Sequence, residues 1–163
     1  MAGFDDHIRQ AKGNISILSE FNQKIQNGWD WQVTISYYVA VHLMNAHLAK
    51  KANLHYKTHE QVKNALFSDM SVAKIPDDIY TAYVKLEGLS RRSRYLCHEI
   101  NTDQPGLVFL TYDKHLKKAL KNLDKIISFI SEEYSIPFNK ANIDCIEIKD
   151  ETLTFFAYQR KAA

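Results

Sequence analysis

The sequence predicts an all-α fold: an antiparallel bundle of about five helices with a short C-terminal β-hairpin. Three observations carry this. Apolar residues recur at three- and four-residue spacing over five separate stretches, the period of a helix with one buried face. Five glycines and three prolines in 163 residues leave little chain for loops. After Pro137 the pattern changes to short segments rich in β-branched and aromatic residues. The length favours one domain, with the bundle over residues 1–136 and a C-terminal extension over 137–163, the hairpin packing on the bundle or on a dimer.

The first helix is expected over about residues 4–26. Phe4, Ile8, Ala11, Ile15, Leu18 and Ile25 fall on one stripe, and Asn27-Gly28 is a turn signal. The second is expected over about 30–51. Val33, Tyr37, Val41, Met44 and Leu48 form its stripe, widened by Ala40, Leu43 and Ala46, which makes it the central helix; Asn53 is its stop. The third is short, about 58–68, and Thr58 and Gln61 have capping-box spacing. The fourth starts at Pro76-Asp77-Asp78, where proline halts the preceding chain and aspartate caps free amides. It buries Ile79, Tyr83, Leu86 and Leu89 and runs on to about residue 98, before Asp103-Gln104-Pro105-Gly106. The fifth, about 112–134, has the clearest periodicity, with Leu116, Leu120, Leu123, Ile127 and Ile130 inside and Lys114, Lys117, Lys118, Lys121 and Lys125 outside. The lysine row is most simply a solvated face; its other reading is a nucleic-acid contact. In the extension, NIDCIEIK and TLTFFAY read as two strands joined at Asp150-Glu151, although the turn lacks the glycine that favours a tight hairpin.

Composition narrows the function classes. Hydrophobic residues make up 45% and charged residues 25% of the chain, the balance of an ordinary soluble domain. A net charge of +2 makes no case for nucleic acid by itself, so any such case rests on local patches. No apolar run approaches membrane-spanning length, and the N-terminus MAGFDDHIRQAKG has no apolar signal region; a cytoplasmic location without membrane association is the expectation. Two cysteines, Cys97 and Cys145, are too few for a disulfide framework and are expected to be reduced, Cys97 packing as a small hydrophobe. No phosphate-cradling glycine loop, serine nucleophile elbow or Glu-x-x-His pair is present, and no cofactor is expected.

Residues 36–67, SYYVAVHLMNAHLAKKANLHYKTHEQVKNALF, resemble the HEPN family of small helical bundles. Tyr37, Tyr38, Ala40, His42 and Ala46 fall on the family pattern AYYAxFHAAxALL. Lys57, Thr58, His59, Val62, Leu66 and Phe67 fall on KTHxGVxxLF. The family's fourth helix often carries RxxADY; here the stretch is SRRSRY, with Tyr95 in place and Arg94 where an aspartate is usual. In helix order the likeness covers residues 4–134, concentrated in about thirty. It implies RNA or nucleotide interaction, in some members metal-independent ribonuclease activity through an Arg-x4–6-His motif, and in others a binding or partner role without it. It also implies homodimers with the site beside the interface, nucleotidyltransferase-type partner proteins, and a place in defence or toxin–antitoxin systems.

The stretch LSRRSRYLCH, residues 89–98, fits that motif. Five residues separate Arg92 from His98, and six separate Arg91 from it. Seven positions on a helix return to nearly the same face, as do four, so Arg91, Arg94 and His98 share a face on an unbroken helix; Arg92 becomes the candidate if the helix breaks. Cleaving RNA without metal needs a proton carrier, which a histidine supplies near neutral pH, and a cation against the phosphorane, which a guanidinium supplies with a planar fork. His98 is thus the candidate acid/base and Arg91, Arg94 or Arg92 the phosphate clamp. Glu99 offsets part of this charge, and active families often show a glycine or tyrosine shortly after the histidine. The competing readings are phosphate binding without catalysis, and cations placed at a helix C-terminus where the macrodipole favours them.

A nucleotide- or phosphate-binding set is drawn from Tyr38, His42, Lys57, His59 and Tyr95. Tyr38, His42, Asn45 and Ala49 share one face of the second helix, and the simpler reading of that face is a buried polar network that fixes register. His55 and His59 have half of a zinc spacing, but no cysteines stand at the spacing of the other half, with Cys97-His98 the remote contributors; no metal site is assigned. The rival to the RNA reading is a non-catalytic interaction module acting through homodimerisation or a partner protein, with Phe155, Phe156 and Tyr158 of the hairpin as its surface.

Overall fold

The computed structural model describes residues 2–56, 58–96 and 110–161. Among them the chain forms five α-helices: α1 (Phe4–Lys24), α2 (Trp29–Ala52), α3 (His59–Phe67), α4 (Asp77–Tyr95) and α5 (Asp113–Tyr134). Two three-residue strands follow, β1 (Ala141–Ile143) and β2 (Phe156–Tyr158), with a 3-10 turn at Ile146–Ile148 between them.

α2 is the hub. It packs on α1, α3, α4 and α5, and buried residues lie on several of its faces, including Val33, Tyr37, Leu43, Met44 and Leu48. A helix surrounded by others must be apolar nearly all round. The inner stripe of α5 is fully buried from Leu116 to Ile130, and that of α4 is buried from Ile79 to Leu89. One continuous core includes these residues together with Ile143, Ile148 and Phe156 of the extension.

The ends of the helices follow local chemistry. Asn27 takes φ 53° before Gly28. A Cβ on Gly28 would lie 2.6 Å from Phe21 Cε1, so the α1–α2 corner depends on the missing side chain. Asn53 ends α2 in the left-handed conformation, donating its amide to Ala49 O at 3.2 Å, a conformation asparagine tolerates better than most residues. Thr58 Oγ1 accepts from the Gln61 amide at 3.3 Å and so caps α3. At α4 the expected aspartate cap does not form. Pro76 occupies the cap position without a side-chain hydrogen bond, and Asp77 and Asp78 stand inside the first turn, where the positive end of the helix dipole favours their charge. α4 also stops at Tyr95, with Leu96 left-handed at φ 53°, short of the expected end near 98. Ile25 lies beyond α1 and is exposed.

The extension is not a hairpin. β1 and β2 run parallel, with Ala141 opposite Phe156 and Ile143 opposite Tyr158. Parallel neighbours require a crossover of about a dozen residues, and residues 144–155 provide it. Side chains of the helices fix its path. Asn22, fully buried on α1, accepts from the Asp144 amide at 2.7 Å and donates to Asp144 O at 3.3 Å. Asp124 on α5 accepts from the Phe155 amide at 2.8 Å and from Thr154 at 3.2 Å. The expected turn at Asp150-Glu151 is present, closed by the Glu151 amide donating to Ile148 O at 3.0 Å, and the Glu151 carboxylate bridges Lys117 and Lys121 at 2.9 and 2.8 Å. Phe155 and Phe156 consequently face the core rather than solvent. Cys145 is buried and reduced, and burial pushes its thiol up to about 11; Cys97 lies outside the described residues.

Candidate functional site

Tyr83, Glu87, Ser90 and Arg94 follow one another on α4 at spacings of four, three and four, which places them on one face. That face meets α2 and α3. Tyr37 from α2 sets its ring 5.9 Å from Tyr83 and 5.3 Å from His59. Lys63, one turn after His59 on α3, bridges Glu87 at 2.9 Å. The result is a polar seam that begins at fully buried Tyr83 and ends at half-buried Arg94. The Arg94 Nε donates to Ser90 O at 3.4 Å, and its guanidinium lies 5.0 Å from the centre of the Tyr95 ring.

The seam is incompletely paired. Among the described residues, Tyr37 Oη, Tyr83 Oη and Ser90 Oγ are buried without a hydrogen-bond partner. The two phenols are near enough to influence one another's ionisation, Tyr83 holding the Tyr37 hydroxyl down and Tyr37 pushing that of Tyr83 up. Burial pushes both phenols far above the ordinary tyrosine value, with Glu87 adding to the rise. Burial lowers the His59 imidazole; Arg94 and Lys63 lower it further, and Glu87 opposes them. Buried hydroxyls normally find partners. Three such hydroxyls share the seam with a guanidinium, an imidazole and one ion pair. Comparison of the chain with family models, curated proteins and solved structures finds no match, so the site stands on its geometry.

The structure distributes the sequence-predicted residues over several places. The three arginines diverge. Arg94 joins the seam and Arg91 is exposed. Arg92 reaches toward the start of α5, donating to Leu110 O from Nε at 3.1 Å and from a terminal nitrogen at 2.6 Å. Because α4 ends at Tyr95, no unbroken helix carries the spacing from Arg91 to His98; His98 itself lies outside the described residues, as does Lys57. His59 is in the seam, Tyr38 is partly exposed beside it with its ring 5.9 Å from Tyr37, and Tyr95 is exposed beneath Arg94.

His42 belongs elsewhere. Its Nδ1 lies 3.2 Å from Nδ1 of His7 on α1, and Nε2 of His7 lies 3.3 Å from Nδ1 of His55 in the α2–α3 connection. Each contact is a hydrogen bond when one nitrogen carries the proton and the other accepts. Burial lowers the His7 imidazole first, with His42 and His55 adding to it, and burial lowers His42. His7 spends both nitrogens on different neighbours, so the three rings do not converge on one point. Among the described residues no group of three His, Cys, Asp or Glu is arranged to hold a metal ion. The half-spaced pair His55 and His59 is divided between this chain and the seam.

Sequence reasoning missed Lys63, Glu87 and Ser90, and placed Tyr83 in an apolar stripe only. The signal was present: polar residues at 83, 87, 90 and 94 keep helical register within the buried stripe of α4. It also missed His47, whose Nε2 contacts Ala73 O at 3.1 Å and whose Nδ1 contacts Tyr134 Oη at 2.8 Å. Those contacts pin the long α3–α4 connection and the end of α5 to α2.

Proposed function

We propose that this chain is a HEPN-like protein, its five helices an antiparallel bundle, that interacts with RNA or nucleotides by receiving a phosphate-bearing group at the Arg94 end of the seam. The observation that carries the reading is the stripe Tyr83–Glu87–Ser90–Arg94, in which a guanidinium on the rim continues into buried hydroxyls that have no partner among the described residues. Arginine meets phosphate with a planar fork. His59 stands within electrostatic range of Arg94, and the exposed rings of Tyr38 and Tyr95 offer stacking surfaces beside it. Homodimerisation and a nucleotidyltransferase-type partner come to this reading from the HEPN resemblance.

The test is binding of labelled nucleotides and short RNA, followed by anisotropy. Arg94→Ala should weaken binding by roughly 10- to 100-fold, the loss of one charge-assisted contact, while circular dichroism stays unchanged. Equal affinity in the variant overturns the reading. Incubating RNA with the protein and a chelator extends the test to catalysis: cleavage that is lost in His98→Ala makes the chain a metal-independent ribonuclease, and intact RNA leaves it a binding protein.

One observation favours the rival reading, a module that associates with a partner protein. Leu54, Met70 and Val72 are exposed around a shallow groove of about 490 Å³ between the end of α2 and α3. Phe155 and Phe156 are withdrawn into the core and do not supply that surface.

A further inference from the structure

The opposite flank of α4 carries a different feature. Between α4 and α5 runs an open groove of about 600 Å³, whose described lining includes Lys85, Lys114, Lys117, Lys118, Lys121 and Lys125. Leu89, buried, and Asn122 complete the lining. Five of the lysines follow α5 over twelve residues, a row about 16 Å long at 1.5 Å per residue. Glu151 bridges Lys117 and Lys121. Lys85, Lys118 and Lys125 are exposed, and Lys114 lies 5.8 Å from the centre of the Tyr112 ring. Tyr112 is itself half exposed at the end of the row. Arg92, one turn beyond Leu89 on the same face of α4, extends the positive field toward this end; together with Lys118 and Lys114 it depresses the His115 imidazole, after burial.

We propose that this groove is a binding path for the phosphodiester backbone of single-stranded nucleic acid, with Lys85, Lys114, Lys118 and Lys125 as backbone contacts and Tyr112 as a stacking platform. The site is separate from the Arg94 seam and rests on its own observation. A linear row of cations in a concave channel, ended by an exposed aromatic ring, is the combination that tracks a single strand. A net charge of only +2 makes the concentration of six lysines in one groove a local feature rather than a consequence of a basic chain. A bilayer presents a flat anionic surface, which a concave channel meets only along its rims, and the apolar side chain in the lining, Leu89, is buried rather than offered for insertion.

The experiment measures anisotropy of unstructured RNA and DNA oligonucleotides, about 16 nucleotides long, with the full chain over a range of salt. Replacing Lys85, Lys114, Lys118 and Lys125 together by Gln should weaken binding roughly tenfold or more and lower the slope of log affinity against log salt by about 2 to 3, near 0.7 per phosphate contact on a single strand. A control removes four charges elsewhere, at Lys12, Lys24, Lys50 and Lys140, and should change the slope little. Arg94→Ala should lower the salt slope by no more than about 0.7, the share of one phosphate contact, whereas binding of a mononucleotide should respond to Arg94→Ala and not to the lysine variant; the two sites therefore fail separately. Equal losses in variant and control overturn the groove. So does an unchanged slope in the variant, or tighter capture by phosphatidylserine vesicles or poly-glutamate than by either oligonucleotide.

Discussion

On one flank of α4, Tyr83, Glu87 and Ser90 are removed from water with a single ion pair, Glu87–Lys63, among them. On the other, Lys85 and the lysines of α5 keep their charges near solvent, and Leu89 meets α5 below them. The same helix thus carries a few desolvated groups on one side and many solvated ones on the other. The contrast follows from where α2 lies. α2 and α3 cover the first flank, so each polar group there must be paired or pay the cost of burial. α5 meets the second flank only along its apolar stripe, and long lysine side chains splay outward from it. A change in the seam should therefore act on stability, and a change in the groove should act on association with little effect on folding.

The largest expected effect tests that division directly. Tyr83→Ala removes a fully buried aromatic ring beside Tyr37 and should cost about 3–5 kcal/mol in chemical denaturation. Lys118→Ala on the exposed flank should lie within about 0.5 kcal/mol of the parent. Near-equal losses would mean that the groove is structural and the contrast false. Glu87→Gln falls between them. It strands Lys63, but the lysine is partly exposed, with 29% of its side chain accessible, so the loss should be about 2 kcal/mol rather than the 3–5 of a fully buried pair.

Two histidines sharpen the comparison. His59 in the seam and His115 beside the groove are both held below the ordinary 6.5, burial being the first cause in each. The second causes differ. His59 has Glu87 opposing Arg94 and Lys63, whereas His115 has Arg92, Lys118 and Lys114 acting in one direction. Salt screens exposed cations, so the His115 value should rise with ionic strength and that of His59 should move less, as followed by NMR titration of the ring protons. For stability the sign is common to both. A lowered native value means that the unfolded chain takes up the proton first as pH falls. The contribution is whole above about 6.5 and is lost as pH drops through that value toward the native ones, each histidine adding at most about 1.4 kcal/mol per pH unit. Buried His47 has the same sign, also through burial. Midpoints of urea unfolding between pH 7.5 and 5 should decrease; a flat profile would show that these rings are not held neutral.

Helix positions were legible because their signals are local. Asn53, Thr58 and Pro76 each act within one turn, and periodicity in α5 survives any tertiary arrangement. The extension was misread because its path is set from afar: Asn22 and Asp124 hold the backbone of residues 144, 154 and 155 through contacts that sequence spacing does not announce. The site was half legible for the same reason. Arg94 and His59 could be singled out from their own neighbourhoods, but their meeting with Tyr37 and Glu87 depends on how α2, α3 and α4 pack. His42 looked like a member of that set because it lies one turn from Tyr38; a slightly different angle on α2 turns it instead toward His7 on α1.

The smallest effects decide what the seam contains. Tyr37→Phe and Tyr83→Phe keep the rings and delete hydroxyls that have no partner among the described residues. A buried hydroxyl without a partner carries a desolvation penalty, whereas a paired one contributes about 1 kcal/mol net. If the free protein leaves these oxygens unpaired, each variant should be neutral or more stable by up to about 1 kcal/mol. A loss of that size would place ordered water against them in the free protein. The same two variants then separate a ligand that stays at the rim from one that enters. A ligand whose phosphate rests on Arg94 alone binds both variants as it binds the parent. One that reaches inward to pair the phenols should bind each variant roughly tenfold more weakly, because the hydrogen bond it would form there is absent. Isothermal titration with a mononucleotide distinguishes the two, and an unchanged affinity in both variants confines the ligand to the Arg94 end.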